Sequence, residues 1–261
     1  MKALSDLSAQ RLKHVRGVLT DVDGTLTTGP VVTAATYAAV QALYEKGLLV
    51  IPITGGPAGM CMTMARMWPV SAVIGESGAF YFRHLRAERK MIKQFWFDQP
   101  TRVENRKRIL KARDSILAQV PRARLAADQN YREDDLAIDW AEDLGPLDLE
   151  ELAQIKQIMH SHGLRSHQSS IHVNGWIGDY DKLQMTRRLL AEQFDIDLDQ
   201  SREEFIYVGD APNDSAMFEF FDLSVGVANI RQYGNAVQPP PQYVTQQEYG
   251  AGFEEVARLL V

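Results

Sequence analysis

Two aspartates separated by a single valine, Asp21 and Asp23, follow a short apolar run and are followed in turn by Gly24 and Thr25. Side chains of a β-strand alternate with a period of 2, so a strand that extends through these residues would point both carboxylates to the same side. Two carboxylates at so short a distance repel each other, and a bound divalent cation relieves the repulsion. The other interpretation is a strand that ends in a solvated Asp-x-Asp-Gly turn, and the rest of the chain has to decide between the two.

Polar residues also follow two further segments that are predicted to be buried strands. They are Thr54 and Gly55 after the apolar run 48–53, and Asp210, Asn213 and Asp214 after the apolar run 205–208. In an open α/β sheet, ligands bind at the carboxyl ends of the strands, so we expect these residues to meet Asp21 and Asp23 in one crevice. Asp21, Asp23 and Asp210 would then form an oxygen-rich site of the kind that Mg²⁺ prefers.

A lysine at the start of a predicted helix, Lys182, adds a positive charge, and Thr54 and the Gly55 amide add hydrogen-bond donors. Together these groups suit phosphoryl transfer, because a cation and a lysine screen the charge of a phosphate and let an anionic carboxylate approach phosphorus. Each residue alone is more often a turn residue, a loop residue or a solvated lysine. Their joint occurrence at successive strand ends favours the catalytic interpretation.

The elements that must position these side chains alternate along the chain. A first strand is predicted from Val18 to the aspartates at 21 and 23, and further strands over 48–53, 71–74, 205–208, 223–227 and 242–245. Helices are predicted over 33–46, 58–68, 182–194, 215–221 and 252–260. Such alternation favours a parallel sheet with helices on both faces. The predicted fold class is therefore α/β, with a Rossmann-like core.

The pattern changes between residues 83 and 177. Helices are predicted there over 101–119 and 149–162, and half-exposed antiparallel strands over 135–140 and 170–174. This is the pattern of a small α+β domain. We predict a catalytic core made of residues 1–82 and 178–261, with residues 83–177 as an inserted domain.

The composition excludes several classes of protein. The 261 residues are 45% hydrophobic and 24% charged, and the net charge of -6 argues against a nucleic-acid partner. No apolar run approaches the roughly 20 residues that span a bilayer, and residues 1–16 lack the apolar core of a signal peptide. A single cysteine, Cys61, rules out an intramolecular disulfide. We expect a cytoplasmic protein with no membrane partner, and nothing in the sequence requires an oligomer.

The order of these residues resembles the four motifs of the haloacid dehalogenase superfamily of phosphohydrolases. Asp21-Val22-Asp23-Gly24-Thr25 is similar to the first motif, Thr54 to the second, Lys182 to the third, and Gly209-Asp210 with Asn213-Asp214 to the fourth. An α+β insert between the second and third motifs is similar to the type IIB cap. That subgroup holds Cof-like sugar phosphatases, sucrose-phosphate phosphatase, mannosyl-phosphoglycerate phosphatase and phosphomannomutase. The C-terminal segment 243–255 also resembles the first three of these.

The resemblance implies a role for each matching residue. Asp21 would be the nucleophile that forms an aspartyl-phosphate, and Asp23 would protonate the leaving alcohol and then activate water. Asp21, the Asp23 backbone carbonyl and Asp210 would hold Mg²⁺. Phosphate would be bound by Thr54, Gly55, Lys182 and Asn213, while Asp214 would orient Lys182 or the waters of the metal.

Two positions depart from the pattern of the family. Gly56 stands where Cof-like members often have the arginine of a Thr-Gly-Arg sequence, and Ser77 replaces the asparagine of the usual Glu-Asn-Gly. The cap would supply substrate specificity, and the candidates for contacts with the alcohol part of the substrate are Arg132, Asp139, His167 and His172. The other interpretation of these four residues is that they are polar positions on a small sheet.

The sequence therefore predicts an Mg²⁺-dependent phosphatase that acts on a small phosphate ester, a sugar phosphate or a glycosyl phosphate. One alternative is a phosphomannomutase-like phosphotransferase, which would depend on a bisphosphate activator. Another is a non-catalytic regulatory module on the same fold. A module of that kind would lack a catalytic position, whereas all four motifs are present here.

Overall fold

The computed structural model of the chain describes residues 1–143, 145–169 and 171–261. Its strands are β1 (Lys2–Ala3), β2 (Gly17–Thr20), β3 (Thr27–Thr28), β4 (Val31–Val32), β5 (Leu49–Pro52), β6 (Val73–Gly75), β7 (Phe80–Leu85), β8 (Lys90–Phe95), β9 (Arg124–Leu125), β10 (Asp135–Asp139), β11 (Arg165–Gln168), β12 (His172–Trp176), β13 (Phe205–Gly209), β14 (Leu223–Gly226) and β15 (Tyr243–Val244). Its helices are α1 (Ala9–Leu12), α2 (Ala34–Glu45), α3 (Ala58–Met67), α4 (Gln99–Gln119), α5 (Leu149–Ser161), α6 (Lys182–Phe194), α7 (Leu198–Ser201), α8 (Ser215–Phe220) and α9 (Tyr249–Leu260). Ser170, which falls in a predicted strand, lies outside the described residues.

The main sheet has six parallel strands in the order β1-β15-β14-β13-β2-β5. Every residue of β2 and β13 is buried, as expected for central strands that helices cover on both faces. The prediction of an α/β fold with a parallel sheet is confirmed. Because the strands are parallel, the segments that follow β2, β5 and β13 begin at the same edge of the sheet, where the candidate residues are found.

The third predicted strand does not join the main sheet as a full member. β6 pairs antiparallel with β7, in a separate three-stranded sheet with the order β6-β7-β8. One parallel bridge, between Ile53 and Ile74, connects β6 to the residue that follows β5. The apolar run at 71–74 could pair with the main sheet or with a hairpin partner. It pairs with the strand at 80–85, which follows it closely in the chain.

The chain folds into two compact units. The first comprises residues 1–55, 61–94 and 181–261, and the second comprises residues 56–60 and 95–180. Residues 83–94 lie in the first unit because they continue the hairpin that pairs with β6, so the long segment of the second unit begins at Phe95. That residues 83–177 act as a substrate-specificity domain stays a prediction.

The second unit is built on a four-stranded antiparallel sheet with the order β11-β12-β10-β9. Its two long helices, α4 and α5, have aspartate N-caps, and the Asp148 cap of α5 forms a reciprocal capping box with Glu151. These elements share one apolar core, which includes Ile109, Ile116, Leu136, Ile138, Leu152, Ile155, Met159 and Val173.

The prediction that β10 and β12 are half-exposed is wrong. All five residues of β10 and the first four of β12 are buried. Their polar side chains are buried because they pair with one another or with nearby residues, as Asn174 does when its Nδ2 donates to Asp135 Oδ2 at 2.9 Å. In the described part of the chain, no helix combines the length and the hydropathy that a bilayer span requires.

Candidate functional site

The first candidate aspartate lies in the loop that follows the central strand β2. The strand ends at Thr20, and Asp21 is anchored by its backbone N–H, which donates to the Val208 carbonyl on β13 at 2.8 Å. Asp21 is buried and Asp23 is exposed. The strand ends before both aspartates, so neither lies inside it as expected, and that the two carboxylates lean to the same side stays a prediction.

Lys182 is the first residue of α6, which is capped by Asp181. The Lys182 ammonium lies between two carboxylates, donating to Asp21 Oδ1 at 2.6 Å and to Asp214 Oδ1 at 2.6 Å. All three side chains are buried. Their ion pairs therefore replace the interactions with water that each charged group loses on folding. Burial by itself lowers the pKa of Lys182, but the two carboxylates outweigh burial and hold that pKa above its usual value.

Asp210 completes a group of three buried carboxylates with Asp21 and Asp214, whose ligand oxygens lie within 4.8 Å of one another. Burial, together with the charges of Asp21 and Asp214, raises the pKa of Asp210 to about 9. Burial also raises the pKa of Asp21 to about 7, although Lys182 opposes the shift. The cause in both cases is negative charge brought together away from water, and one lysine only partly compensates it.

This donor set fits a hard divalent cation. Carboxylate and carbonyl oxygens are the ligands that Mg²⁺ takes, and a cation would relieve the repulsion that raises the two pKa values. Gly24 lets the loop after Asp21 approach Asp210 closely, since a Cβ at this position, where φ is +81°, would clash with the Asp210 carboxylate. Asp23 does not belong to the three-carboxylate group, so its expected contribution to a metal site rests on its backbone carbonyl.

Thr54 follows β5 and is fully buried. Its hydroxyl donates to Asp23 Oδ2 at 3.1 Å, which brings the second predicted cluster into contact with the first. The Thr54 carbonyl accepts the Ser77 N–H at 3.1 Å, so the turn that departs from the family pattern lies beside this loop. Gly55 is partly buried and follows directly.

Asn213 lies in the one-turn 3₁₀ segment Pro212–Asp214 after β13. Its side-chain Oδ1 is buried and has no hydrogen-bond partner among the described residues. Within the same part of the chain, the hydrogen bonds of the Lys182 ammonium go to Asp21 and Asp214 and not to Asn213. Asn213 therefore offers an unused acceptor, and its role in phosphate binding stays a prediction.

Two of the four residues expected to contact the alcohol part of the substrate are buried in polar networks of the second unit. Arg132 pairs with Asp128 at 2.7 Å and with Asp135 at 3.0 Å. Asp139 accepts the backbone N–H groups of Glu142 and Asp143, at 2.8 and 3.0 Å. These contacts are sufficient to explain both side chains without a ligand.

The two histidines lie on neighbouring strands of the same sheet. His172 is buried on β12, and its Nε2 lies 2.7 Å from Glu142 Oε2. His167 is partly buried on β11, where it is paired in register with Asn174. Whether either of them, or Arg132 or Asp139, contacts a substrate stays a prediction.

Sequence reasoning missed two buried residues that contact the three-carboxylate group. Tyr207 on β13 donates its hydroxyl to Asp214 Oδ1 at 2.5 Å. Asn229 donates its Nδ2 to Asp210 Oδ2 at 2.9 Å. The signals that could have identified them are a tyrosine inside an otherwise apolar strand and an asparagine three residues after the buried strand β14. A buried polar side chain needs a partner.

Comparison with known proteins identifies the fold. No family model matches the sequence, and no curated protein matches it significantly. Solved structures match along nearly the whole chain. A Thermoplasma acidophilum protein is 19% identical, with a TM-score of 0.71, over 94% of this chain and 99% of its own.

Two further solved structures match over a similar length. A haloacid dehalogenase-like hydrolase from Bacteroides thetaiotaomicron is 14% identical, with a TM-score of 0.66, over 95% of this chain and 100% of its own. A protein described as related to trehalose-6-phosphate phosphatase is also 14% identical, with a TM-score of 0.65, over 93% and 96%. The chain therefore has the fold of the haloacid dehalogenase-like hydrolases.

Proposed function

We propose that this protein is an Mg²⁺-dependent phosphatase that hydrolyses a small phosphorylated metabolite through an aspartyl-phosphate on Asp21. The observation that carries the proposal is the position of the Lys182 ammonium, which is 2.6 Å from Asp21 and 2.6 Å from Asp214 inside a group of buried carboxylates. A structural core has no need for three carboxylates and a lysine at the end of its central strands. A site that binds a phosphate and a cation needs these charged groups.

The residues suited to hold the cation are Asp21, Asp210 and the backbone carbonyl of Asp23. Asp214 is less suited, because four donors already fill the acceptor sites of its two oxygens. When bound, Mg²⁺ would neutralise negative charge on the phosphate and on the carboxylates around it. Lys182 would contribute the remaining positive charge, and Thr54, Gly55 and Asn213 would orient the phosphate oxygens.

In the first step, one carboxylate oxygen of Asp21 attacks phosphorus. The bond between phosphorus and the ester oxygen breaks, and Asp23 donates its proton to that departing oxygen, so the alcohol leaves as a neutral molecule. Asp23 is exposed and accepts the Thr54 hydroxyl, which orients its carboxyl while leaving it open to exchange protons with solvent.

In the second step, Asp23 returns as a base. It takes a proton from a water molecule, whose oxygen attacks phosphorus, and the bond between phosphorus and Asp21 breaks. The products are inorganic phosphate and the original Asp21 carboxylate, and Asp23 is again protonated. The cycle therefore needs no co-reactant other than water.

The proposed substrate class is a sugar phosphate or a glycosyl phosphate. One supporting observation is that a solved structure of the same fold is described as related to trehalose-6-phosphate phosphatase. The second unit, with its polar side chains on a four-stranded sheet, is the part of the chain proposed to select the alcohol.

The test is a screen of the purified protein with Mg²⁺ against phosphorylated sugars, sugar acids and glycosyl phosphates, with released phosphate as the readout. An Asp21→Asn variant and a sample treated with EDTA are the controls. We expect release from one class of ester, and loss of that release in both controls.

Release that depends on a sugar bisphosphate, with transfer to a second hydroxyl instead of to water, would identify a phosphotransferase instead. No release from any ester, with Mg²⁺ still bound, would contradict the proposal and favour a regulatory module.

A further inference from the structure

Tyr207 is the third residue of β13, between the apolar residues Ile206 and Val208, and its side chain is fully buried. A buried hydroxyl costs free energy unless it is hydrogen-bonded. The Tyr207 hydroxyl meets this requirement by donating to Asp214 Oδ1 at 2.5 Å. Burial, followed by the charge of Asp214, raises the pKa of Tyr207 well above its usual value, so the hydroxyl keeps its proton and acts as a donor.

The contact between Tyr207 and Asp214 depends on the glycine two residues further along the strand. Residues at i and i+2 share one face of a strand, so a side chain at Gly209 would point into the same space. A Cβ at Gly209 would lie 2.5 Å from Asp214 Oδ2 and 3.0 Å from Tyr207 Cε1. The missing side chain therefore leaves the room in which the phenol and the carboxylate meet.

The Tyr207 ring is held from α8 and from the residue that follows this helix. It packs edge-on against Phe218, with ring centroids 5.7 Å apart, and stacks on Phe221 at 6.1 Å. The hydroxyl is thus delivered to Asp214 by a rigid aromatic group and not by a flexible chain. A rigid donor fixes the position of the oxygen that accepts its hydrogen bond.

Asp214 uses the full acceptor capacity of a carboxylate. Its Oδ1 accepts from Tyr207 and from Lys182, and its Oδ2 accepts the N–H groups of Asp210 at 3.0 Å and of Ala211 at 3.3 Å. An ionised carboxylate offers about four lone-pair sites, and four donors fill them here. Hydrogen bonds of this charged kind are about twice as strong as neutral ones, so the arrangement holds Asp214 in one orientation.

We propose that Tyr207 is a positioning residue that fixes the Asp214 oxygen by which Lys182 is held against Asp21. It touches neither the substrate nor the nucleophile, and it acts through Asp214. Without the Tyr207 hydroxyl, Asp214 Oδ1 keeps a single donor, and the carboxylate can rotate away from Lys182. The expected effect of Tyr207 on the kinetics rests on the proposed function, in which Lys182 binds the phosphate.

The test compares Tyr207→Phe with Tyr81→Phe. Tyr81 is a matched control because it is also buried and also donates to a carboxylate, Glu192 Oε2 at 2.7 Å, which lies outside the three-carboxylate group. Both variants lose one hydroxyl and one hydrogen bond to a carboxylate. A merely structural hydroxyl would lower the melting temperature in either variant and would leave the folded enzyme unchanged.

The first readout is the ammonium resonance of Lys182 in protein labelled with ¹⁵N-lysine. A buried, ion-paired ammonium gives a resolved signal, which is assigned by its absence from Lys182→Arg. We expect the signal to shift or broaden in Tyr207→Phe and to stay in place in Tyr81→Phe. An unchanged signal in Tyr207→Phe would overturn the inference, and so would the absence of a Lys182 signal from the wild type.

The second readout is binding of inorganic phosphate by titration calorimetry, together with kcat and KM for the ester found in the screen. We expect phosphate binding to weaken about tenfold in Tyr207→Phe, as is typical when the partner that orients a site residue is removed. Phosphate affinity and KM equal to those of Tyr81→Phe would contradict the inference. A wild type without turnover would contradict the proposed function alone, because the Lys182 signal would still decide the role of Tyr207.

Discussion

Asn229 donates its side-chain Nδ2 to Asp210 Oδ2 at 2.9 Å and to the Gly24 carbonyl at 3.0 Å. Its Oδ1 accepts the Tyr249 N–H at 2.9 Å, at the first residue of α9. One buried amide therefore connects a carboxylate of the candidate metal site, the loop after Asp21 and the start of the last helix. A side chain with two donors and an acceptor is needed to make all three bonds.

Asn229→Ala is expected to weaken Mg²⁺ binding by about tenfold to a hundredfold, because residues that orient metal ligands have effects of that size. Titration calorimetry with Mg²⁺ measures it directly. Asn235→Ala is the matched control, since Asn235 is exposed in the same 3₁₀ segment. Equal Mg²⁺ affinity in the two variants would show that Asn229 only joins loops.

The metal-free protein is expected to lose stability as the pH rises. Burial raises the pKa of Asp21 from 3.8 to about 7 and that of Asp210 from 3.8 to about 9, so the folded state holds protons that the unfolded state has released. Where the folded state binds more protons, the free energy of unfolding falls with increasing pH. The stability lost through ionisation of Asp21 is therefore lost between about pH 4 and pH 7. The stability lost through ionisation of Asp210 is lost from about pH 4 up to about pH 9.

Urea unfolding in EDTA across this pH range measures the effect. Asp210→Asn is expected to flatten the upper part of the profile, because its amide does not titrate. Added Mg²⁺ is expected to stabilise the protein more at high pH than at low pH, since the cation competes with protons for the same oxygens. A stability profile that is flat in EDTA would contradict the clustering of buried charge.

Arg132→Ala is expected to destabilise the protein by about 3 kcal/mol or more, because it removes the cation that faces the buried Asp135 carboxylate. Chemical denaturation measures the loss. Arg165→Ala is the control, because Arg165 forms an exposed ion pair with Asp179 in the same unit, and exposed pairs contribute little. If Arg132 instead binds substrate, as the sequence suggested, the variant would raise KM and leave the unfolding curve in place.

Much of the fold was predictable from the sequence, because central parallel strands have the sequence pattern of a short apolar run followed by polar residues. β2, β5 and β13 have this form, and they carry Asp21, Thr54 and Asp210 to one edge of the main sheet. The pairing of Val73–Gly75 with a later hairpin was not predictable, since an apolar run does not specify its partner. The same limit explains the burial of β10 and β12, whose polar side chains find partners such as Arg132 and Glu142.

The residues of the candidate site were predictable where the chemistry requires a particular residue type. They were less predictable where a contact depends on how the chain folds. A contact between Lys182 and Asp214 was expected from the family resemblance, and their side chains lie 2.6 Å apart. The contacts of Tyr207 and Asn229 were not expected, because each hydrogen bond goes to a carboxylate that only folding brings close. Asp23 was expected on the same side of a strand as Asp21, but the strand ends before both.

Transfer of a phosphoryl group to Asp21 is tested most directly with Asp23→Asn and an aryl phosphate such as p-nitrophenyl phosphate. A good leaving group needs no proton from residue 23, whereas the attack of water on the intermediate still needs a base. We predict a rapid burst of about one nitrophenolate per protein followed by slow turnover, with the phosphoryl group on Asp21 in the acid-quenched protein by peptide mass spectrometry. Turnover by the wild type, with neither a burst nor a phosphorylated Asp21 in the variant, would contradict the account.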